Sequence, residues 1–412
     1  MTSLRSRLLR LRNSGEIQTA AKIVPTRKIH FSLFPGEEVY AHTPAGPCYY
    51  RELRFPLTKK HGNGLLQEIL DFKGKGFILA TQDETLEKLR PQDLLFLDTE
   101  TTGLAGGTGT WVILIGLGWC QDDCFYLRQY FLPNPAAEKA MLLHFYHTAQ
   151  KFPGVITFNG KTFDLPLIQT RLVLNGIAEK FTPAYHLDLL TCSRRLWKDR
   201  LLSCSLQSLE KEILAFQRQH DIPGSLVPAI YFSYLRTGRM DQIRSVFTHN
   251  VWDILSMVRL LTVVAQAART PLHTADYFAL GKLHCAQNRF QEAVFCFRQA
   301  SRCGLPRLEQ DALLQLSFIY KRQRKWQEAA AAWQELINIY PANLTAYLEL
   351  AKYYEHRRKN YTAALTLTEY ILKRVKAQPD AACSGQLLPA ALEHRKTRLQ
   401  KKAGLTPHGC RQ

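Results

Sequence analysis

Residues 94–104 have the sequence LLFLDTETTGL, in which an apolar run ends on two acidic residues. The run has the length of a buried β-strand, and side chains two positions apart on a strand point to the same face. Asp98 and Glu100 are therefore expected to share one face, with Thr99 turned away from it. A buried carboxylate is costly unless another charge compensates it, so this strand end predicts a nearby cation.

Two other acidic residues occur in patterns typical of helices. Asp164 follows the turn residues Asn159 and Gly160 and begins an apolar stretch with helical spacing. Asp253 lies in a helical pattern, and His249, four residues earlier, shares its helix face. Four carboxylates that meet in one site repel one another unless cations neutralise them, and Mg²⁺ or Mn²⁺ prefers such oxygen ligands. The sequence thus predicts two divalent ions and a two-metal hydrolysis of phosphodiester bonds.

Each of these patterns also has an ordinary structural interpretation. An acidic pair at a strand end is often solvated, and Asp164 alone can be a helix N-cap. A single histidine such as His249 is more often structural than catalytic. The order of the motifs along the chain and their combination favour the functional interpretation.

The three acidic motifs resemble, in the same order, those of the DEDD exonuclease superfamily, which has a ribonuclease H-like fold. They are DTETTG (98–103), NGKTFD (159–164) and HNVWD (249–253). The resemblance implies a metal-dependent 3′–5′ exonuclease with two Mg²⁺ or Mn²⁺ ions, whose ligands are Asp98, Glu100, Asp164 and Asp253. One subtype has a tyrosine four residues before the last aspartate, and another has a histidine five residues before it. Here His249 stands at the tyrosine's spacing, and we predict that it activates the water.

The chain is also similar to the bacterial YprB family over roughly residues 90–375. The segments that carry this similarity are GLAGGTGTWVILIGLG (103–118), HLDLLTCSRRLW (186–197), SCSLQSLEKEIL (203–214) and DIPGSLVPAIY (221–231). That family is described as a ribonuclease H-like domain followed by tetratricopeptide repeats, and its members are predicted exonucleases. The resemblance implies an α/β ribonuclease H-like domain, with a mixed sheet flanked by helices, and a C-terminal all-α domain.

An internal repeat supports the C-terminal domain. Motifs that begin at Leu280, Leu316 and Leu350 recur at offsets of 34 to 36 residues, each with a later aromatic residue and alanine. This is close to the tetratricopeptide period, and small residues beside the leucines would let paired helices approach closely. An ordinary helical bundle is the alternative. By analogy of fold alone, such a stack recruits a protein partner.

We divide the chain into four regions. Residues 1–88 form a basic N-terminal extension, predicted to be irregular and to pack on the catalytic domain at residues 89–268. Residues 273–376 hold the helical repeats, and residues 377–412 form a basic tail predicted to be mostly disordered and to hold nucleic acid loosely. The basic start of the chain favours a leader helix over a transit peptide.

Charge and cysteine content limit the class of partner and the location. The 412-residue chain has a formal net charge of +19 and a pI near 9.5, which favours nucleic-acid phosphates over a small metabolite. No run of 18 or more apolar residues suggests a membrane span. Ten cysteines occur without a CxxC pair, so we expect no structural zinc and a reducing, cytoplasmic setting.

Several residues near the motifs have less specific patterns. Residues 106–109 are interpreted as a hairpin turn, because the ending of a phosphate-binding P-loop is missing. Asp188 is expected to support the site without binding metal. Asn159 and Lys161 either contact the substrate backbone or form a turn. A basic run either contacts phosphates or faces solvent, and it consists of Arg194, Arg195, Lys198 and Arg200.

These patterns together predict a metal-dependent 3′–5′ exonuclease whose repeats recruit a protein partner. A catalytically silent nucleic-acid adaptor and a structure-specific endonuclease are the alternatives. The intact set of four acids favours an enzyme, because a binding module has little reason to face a polyanion with carboxylates. DNA and RNA both fit as the substrate.

Overall fold

Strand β5 (Leu94–Thr101), which holds the acidic pair, lies inside a seven-stranded mixed sheet. The computed structural model describes residues 38–103, 107–377 and 388–405. The other strands of the sheet are β1 (Glu38–Thr43), β2 (Gly46–Pro56), β6 (Val112–Gln121), β7 (Cys124–Phe131), β8 (Gly154–Thr157) and β9 (Tyr185–Asp188). A separate hairpin consists of β3 (Lys60–His61) and β4 (Gly64–Leu65). The order is β1-β2-β7-β6-β5-β8-β9, and β5 pairs antiparallel with β6 and parallel with β8.

Strand β5 separates two hydrophobic cores. Leu94 and Phe96 belong to one core, and Leu95 and Leu97 belong to the other. Because helices cover both faces, the strand is a continuous apolar run instead of an alternating one. The pairing with β6 shifts its register directly after Glu100, and such a bulge ends the regular ladder where the acidic side chains emerge.

Helices from the middle of the chain cover the two faces of the sheet. Helices α2 (Glu138–Ala149) and α3 (Asp164–Leu174) pack into the core that contains Leu95. Helices α4 (Leu189–Trp197) and α7 (Ile243–Ala267) pack into the core that contains Phe96. The other helices here are α1 (Ile78–Thr81), α5 (Leu206–Glu212) and α6 (Val227–Thr237). Turns of 3₁₀ helix lie at Leu66–Asp71, Gly74–Phe77, Glu84–Lys88, Pro91–Asp93, Pro135–Ala137 and Gly224–Leu226.

Two glycines of β6 allow α7 to cross the sheet closely. A Cβ atom on Gly116 would lie 2.2 Å from Oδ1 of Asn250. A Cβ atom on Gly118 would lie 2.7 Å from Cγ2 of Ile254. Both distances are too short for real contacts, so glycine is required for this approach. The close crossing brings the middle of α7 next to the acidic end of β5.

The region before the acidic strand is more regular than the sequence suggested. Residues 38–56 were expected to belong to an irregular extension, but they form β1 and β2, and β2 pairs with β7 from Tyr49 opposite Phe131 to Pro56 opposite Cys124. The expectation was wrong for these residues because most β2 side chains are only half buried, so no clean apolar alternation marks the strand. Residues 1–37, with the expected leader helix, lie outside the described residues.

The C-terminal part of the chain consists of successive packed helices. They are α8 (Asp276–Ala286), α9 (Phe290–Ala300), α10 (Pro306–Arg322), α11 (Trp326–Ile339), α12 (Leu344–Tyr353) and α13 (Tyr361–Ala377), with a π turn at Tyr354–Arg358. A Cβ atom on Gly281 would lie 2.7 Å from the Phe297 ring. A small residue is therefore needed between the first two helices, as the repeat pattern predicted.

The end of the chain corrects a second expectation. Within the predicted disordered tail, residues Pro389–Lys402 form helix α14. Its Leu392 and Leu399 are buried, and three of its basic side chains bond to the buried Glu355. The basic residues of this segment therefore neutralise a buried acid about 40 residues earlier in the chain. A local sequence pattern does not reveal such a contact. Residues 378–387 and 406–412 lie outside the described part.

Ion pairs join the repeats to the sheet domain. Arg200 donates to Asp276 with an Nε–Oδ1 distance of 2.6 Å, and Lys282 donates to Asp199 at 2.6 Å. Asp199 and Arg200 follow the end of α4, and Asp276 and Lys282 belong to α8, the first helix of the repeats. Across the described ranges of the chain, we find no helix with the length and apolar character needed to cross a membrane.

Candidate metal centre

The end of β5 and the middle of α7 meet at an acidic cluster. Glu100, His249 and Asp253 each present a potential ligand atom, and these atoms lie within 4.8 Å of one another. Asp98, His249 and Asp253 also line one cavity of about 820 Å³. Carboxylate and imidazole donors suit divalent ions such as Mn²⁺ and Mg²⁺. The structure thus brings four of the five predicted site residues to one place.

Among the acids of the cluster, Glu100 gives the clearest indication of a bound cation. It is 8% exposed, and its Oε1 atom has no hydrogen-bond partner among the described residues. Burial raises the pKa of Glu100 well above its ordinary value, and the negative charges of Asp98, Asp253 and Asp164 raise it further. A buried carboxylate oxygen without a partner costs free energy unless a cation meets it. The residues present therefore fit a divalent ion.

Asp98 shares this environment but has one oxygen satisfied. Its Oδ2 atom accepts a hydrogen bond of 2.8 Å from Nδ2 of Asn250. Burial raises the pKa of Asp98 well above its ordinary value, followed by repulsion from Asp253 and Asp164, and the bond from Asn250 opposes this rise. A cation would therefore stabilise the charged form of Asp98 as well as that of Glu100.

Asp164 lies next to the cluster, and its carboxylate is bound by Thr99, whose side chain is on the opposite face of β5 from Asp98 and Glu100. Thr99 donates a short hydrogen bond to Oδ1 of Asp164. Thr99 thus points away from Asp98 and Glu100 as predicted, yet it positions the third acid. Asp164 is the first residue of α3, and Phe163 occupies the N-cap position, so the N-cap alternative is wrong. Burial is the main cause that raises the pKa of Asp164 to about 6.

His249 is oriented by a carboxylate that the sequence did not single out. Its Nδ1 atom lies 2.7 Å from Oδ1 of Asp221, and its Nε2 atom lies 3.5 Å from Oδ2 of Asp253. Both ring nitrogens face carboxylates, which only accept hydrogen bonds when ionised, but only the Nδ1 contact is short enough for a strong hydrogen bond. We therefore assign a proton to Nδ1, which leaves the lone pair on Nε2 whenever the ring carries one proton. That lone pair faces the acidic cluster, where it can accept a proton from water or bind a metal. The role of His249 as the water-activating base stays a prediction.

Arg218 is the main component of the site that sequence reasoning missed. Its Nε and Nη2 atoms donate to Glu210 at 2.7 and 2.6 Å, and its Nη1 atom donates to Asp221 at 3.0 Å. Nη2 also donates a short bond to Oδ1 of Asp253. Burial disfavours its charged form, but the bonds to Glu210 and the charge of Asp253 outweigh this and raise the pKa of Arg218. The forked contact with Glu210 fixes the guanidinium as a permanent cation beside the cluster.

The predicted basic run divides into two groups with different contacts. Arg194 and Lys198, one helical turn apart and exposed, line the cavity that contains the acids. Arg195 instead donates to the carbonyl oxygens of Ala80 and Thr81. Arg200 bonds to the repeats, as described above. The cavity therefore has an acidic end and a basic wall.

Asp188 supports the loop that leads to Asp164. Its carboxylate accepts hydrogen bonds from the backbone nitrogens of Asn159, Lys161 and Leu190, at 2.9, 3.2 and 3.0 Å. Asn159 has a positive φ of 68°, so this loop is a tight turn, and its side chain lines the cavity. In the glycine-rich segment, Gly106 lies outside the described residues. Gly107 has a φ of 90°, and its carbonyl accepts from the Thr110 amide, as in a tight turn.

Comparison with known proteins places this site in a family. Residues 95–265 match the family model described as RNase_H superfamily, and residues 311–343 match that described as tetratricopeptide repeat. The chain is 32% identical over 367 residues to a protein of Bacillus subtilis (strain 168) named "Uncharacterized protein YprB", and the match covers 86% of each chain. The chain belongs to the YprB family. A stretch of 47 residues, 11% of this chain, is 45% identical to DNA polymerase 1 of Aeropyrum pernix, of which it covers 5%.

Membership of the YprB family agrees with the fold class predicted from the sequence. The seven-stranded mixed sheet with flanking helices is the ribonuclease H-like domain, and the C-terminal helices contain the tetratricopeptide match. The first match begins at residue 95 and leaves out β1 and β2, although both strands pair into the same sheet. The boundaries of the four regions stay predictions.

Proposed function

We propose that this member of the YprB family is a metal-dependent 3′–5′ exonuclease that hydrolyses nucleic acid. The unpartnered, buried oxygen of Glu100 carries the proposal, because it lies among three further acids next to a cavity with basic side chains. The match to the RNase_H superfamily supports a nuclease of some kind. Two Mg²⁺ or Mn²⁺ ions held by Asp98, Glu100, Asp164 and Asp253 would activate water and stabilise the leaving oxygen.

The remaining side chains of the site have complementary roles. Nε2 of His249 accepts a proton from the attacking water, while Asp221 holds the proton on Nδ1 and so keeps the ring in the required tautomer. Arg218 stabilises the negative charge that the acids and the phosphate bring together. Arg194 and Lys198 bind backbone phosphates along the cavity wall.

Two observations support nucleic acid as the substrate. The formal net charge is +19 although the site itself is acidic, so the excess cations lie elsewhere on the chain. The short similarity to a DNA polymerase is in keeping with this class of substrate.

We further propose that the tetratricopeptide region recruits a protein partner. We also propose a reducing, cytoplasmic location, on the basis of the scattered cysteines in the sequence.

Labelled oligonucleotides test the proposal directly. Single-stranded DNA and RNA, labelled at either the 3′ or the 5′ end, are incubated with the protein in Mg²⁺, Mn²⁺ or EDTA. We expect metal-dependent ladders that disappear in Asp98→Ala and persist in Asp123→Ala, the same change at an exposed turn between β6 and β7. The label that is released first reports the direction of digestion.

Other outcomes would replace the proposal by a named alternative. A fully active Asp98→Ala protein contradicts the metal mechanism. Cleavage of circular substrates identifies an endonuclease. Tight binding without cleavage under every metal identifies a nucleic-acid adaptor.

A further inference from the structure

A line of buried polar side chains runs through the sheet from β2 to the acidic cluster. The guanidinium of Arg51 donates to Oε1 of Gln129, with Nη2 at 2.7 Å and Nε at 3.1 Å. Nε2 of Gln129 donates to Oδ1 of Asn250 at 2.8 Å. Nδ2 of Asn250 donates to Oδ2 of Asp98 at 2.8 Å. Gln129 and Asn250 have no solvent exposure, and Arg51 is 8% exposed, so solvent is kept away from these three groups.

The chemistry of the groups allows this line to run in one direction only. A guanidinium can donate hydrogen bonds but cannot accept them, so it must face the oxygen of the Gln129 amide. The amide nitrogen of Gln129 then points to Asn250 and also donates to the Phe247 carbonyl at 2.8 Å. Asn250 must in turn present its oxygen to Gln129 and its nitrogen to Asp98. The permanent positive charge of Arg51 on β2 thereby determines that the amide nitrogen of Asn250, and not its oxygen, faces Asp98.

The sheet is built to accommodate Asn250. The three atoms nearest to a Cβ on Gly116 all belong to the Asn250 amide, at 2.2 Å for Oδ1, 2.7 Å for Nδ2 and 2.8 Å for Cγ. Gly116 is also the residue that pairs with Asp98 across the β5–β6 ladder. Any side chain there would push the amide away from the acid. Glycine at this position and asparagine at 250 therefore form one steric unit.

We propose that Arg51, Gln129 and Asn250 are positioning residues that hold one oxygen of Asp98 and leave its other oxygen for a divalent cation. The inference rests on the proposed metal-dependent function. A carboxylate held by a buried hydrogen bond loses little freedom when it binds metal, and loss of such a supporting partner typically weakens metal affinity about 10- to 100-fold. Strand β2 would thus contribute to the metal site, although it precedes the family match, which begins at residue 95.

Gln129→Glu tests the direction of the line with an isosteric change. The glutamate still accepts from Arg51, which offsets the new charge, but it has no N–H for Asn250. The Asn250 amide is then expected to rotate, so that its oxygen faces Asp98 and the supporting bond is lost. We expect Mn²⁺ to bind about 10-fold more weakly in calorimetry. Gln121→Glu, at the exposed end of β6, makes the same change away from the line and should bind Mn²⁺ as the wild type does.

A second pair of variants separates positioning from packing. Asn250→Ala removes the amide and leaves a space beside Gly116, so both the thermal stability and the Mn²⁺ affinity should fall. Adding Gly116→Ala places a methyl group in the space that the amide occupied. We expect the double variant to regain thermal stability in EDTA but not the Mn²⁺ affinity.

The outcomes distinguish this inference from the proposed function. Unchanged Mn²⁺ affinity in Gln129→Glu, or recovery of that affinity together with stability in the double variant, overturns the positioning role even if the protein is a nuclease. A protein that binds Mn²⁺, responds to the variants as expected and cleaves no nucleic acid supports the positioning role and refutes the nuclease.

Discussion

Glu355 in the helical repeats and Glu100 in the sheet domain are both buried glutamates, but they are surrounded by opposite kinds of neighbour. Glu355 receives hydrogen bonds from Arg395, Arg398 and Lys402 of α14 at 2.7 to 3.1 Å. Burial alone would raise the pKa of Glu355, but the bonds from Arg398 and Lys402 outweigh it, and the pKa lies below the ordinary value. Glu100 faces three other acids, and its pKa is raised.

This is the difference that we expect between a structural acid and an acid that binds a metal ion. The fold itself supplies the cations that Glu355 needs, so its charge helps to hold α14 in place. The fold gathers carboxylates around Glu100, and the nearby cation Arg218 directs its bonds to other acids. Negative charge that the chain itself does not neutralise marks a place for a ligand cation. Four predictions test this contrast.

Glu355→Gln should have the largest effect and should destabilise the protein. The neutral amide removes the acid that three cationic side chains of α14 share, which we expect to cost about 3 kcal/mol of unfolding free energy. Urea denaturation in EDTA measures the loss. Glu369→Gln, on an exposed residue that pairs with Lys396, is the matched control and should change stability little. Equal stability of the two variants would remove the contrast.

Asp164→Asn should instead stabilise the metal-free protein, and the size of this effect should depend on pH. The pKa of Asp164 is raised from its ordinary value of 3.8 to about 6, so the folded state binds this proton more tightly than the unfolded chain. The resulting contribution to stability is present below pH 3.8 and is lost as the pH rises to about 6. Asparagine does not titrate, so the metal-free variant should exceed the wild type by about 2 kcal/mol at pH 7 and by little at pH 4.

The comparison at each pH removes the titrating groups that do not interact with Asp164 from this result. His61, whose pKa burial lowers to about 4, favours folding less as the pH falls through the same range. Because His61 is present in both proteins, its contribution cancels in the difference. A stability difference that is constant between pH 4 and pH 7 would contradict the prediction.

Glu100→Gln should stabilise the metal-free protein by a smaller amount. Removing one of several neighbouring carboxylate charges in a partly screened site gains on the order of 1 kcal/mol. We expect Mn²⁺ to raise the melting temperature of the wild type, and the same change should abolish this increase. Thermal unfolding with Mn²⁺ and with EDTA checks both parts, and Glu87→Gln at an exposed 3₁₀ turn is the control. Destabilisation in EDTA would place Glu100 with Glu355 as a structural acid.

The junction between the two regions should show the smallest effect. Asp199 and Lys282 are about a quarter and a third exposed, and solvent screens their 2.6 Å ion pair. Asp199→Lys or Lys282→Asp alone should therefore cost about 0.5 kcal/mol, and the double exchange should recover most of it. A double-mutant cycle by urea denaturation measures the coupling. No recovery in the double variant would show that the pair does not stabilise the junction.

Local pattern was sufficient for the residues whose neighbours are close in the chain. Asp98 and Glu100 are two positions apart on β5, and His249 and Asp253 are four positions apart on α7, so the strand and helix periods place each pair on one face. The repeat pattern depends on a similar local regularity, and it located the helices that contain the tetratricopeptide match. These parts of the fold and of the site were predictable from the sequence.

Residues whose partners are distant escaped prediction. Asn250 is 152 residues from Asp98, Gln129 is 121 residues from Asn250, and Arg218 is 35 residues from Asp253. No period links such positions, so the local sequence does not reveal these contacts, even though Asn250 lies within the motif HNVWD. Helix α14 was misjudged for the same reason, because its basic side chains bond to Glu355 in another element, whereas β2 was misjudged because it has no clean apolar alternation.

The sequence by itself determined the order of the domains and the set of acids, since strands, helices and repeats follow from periodic patterns that a short window contains. Only the tertiary structure decided how each acid is neutralised. Glu355 acquires its cations from α14, Asp98 receives a hydrogen bond from Asn250, and one oxygen of Glu100 is left without a partner. The physical reason is that electrostatic energy depends on separation and burial in space, and the folded chain sets both.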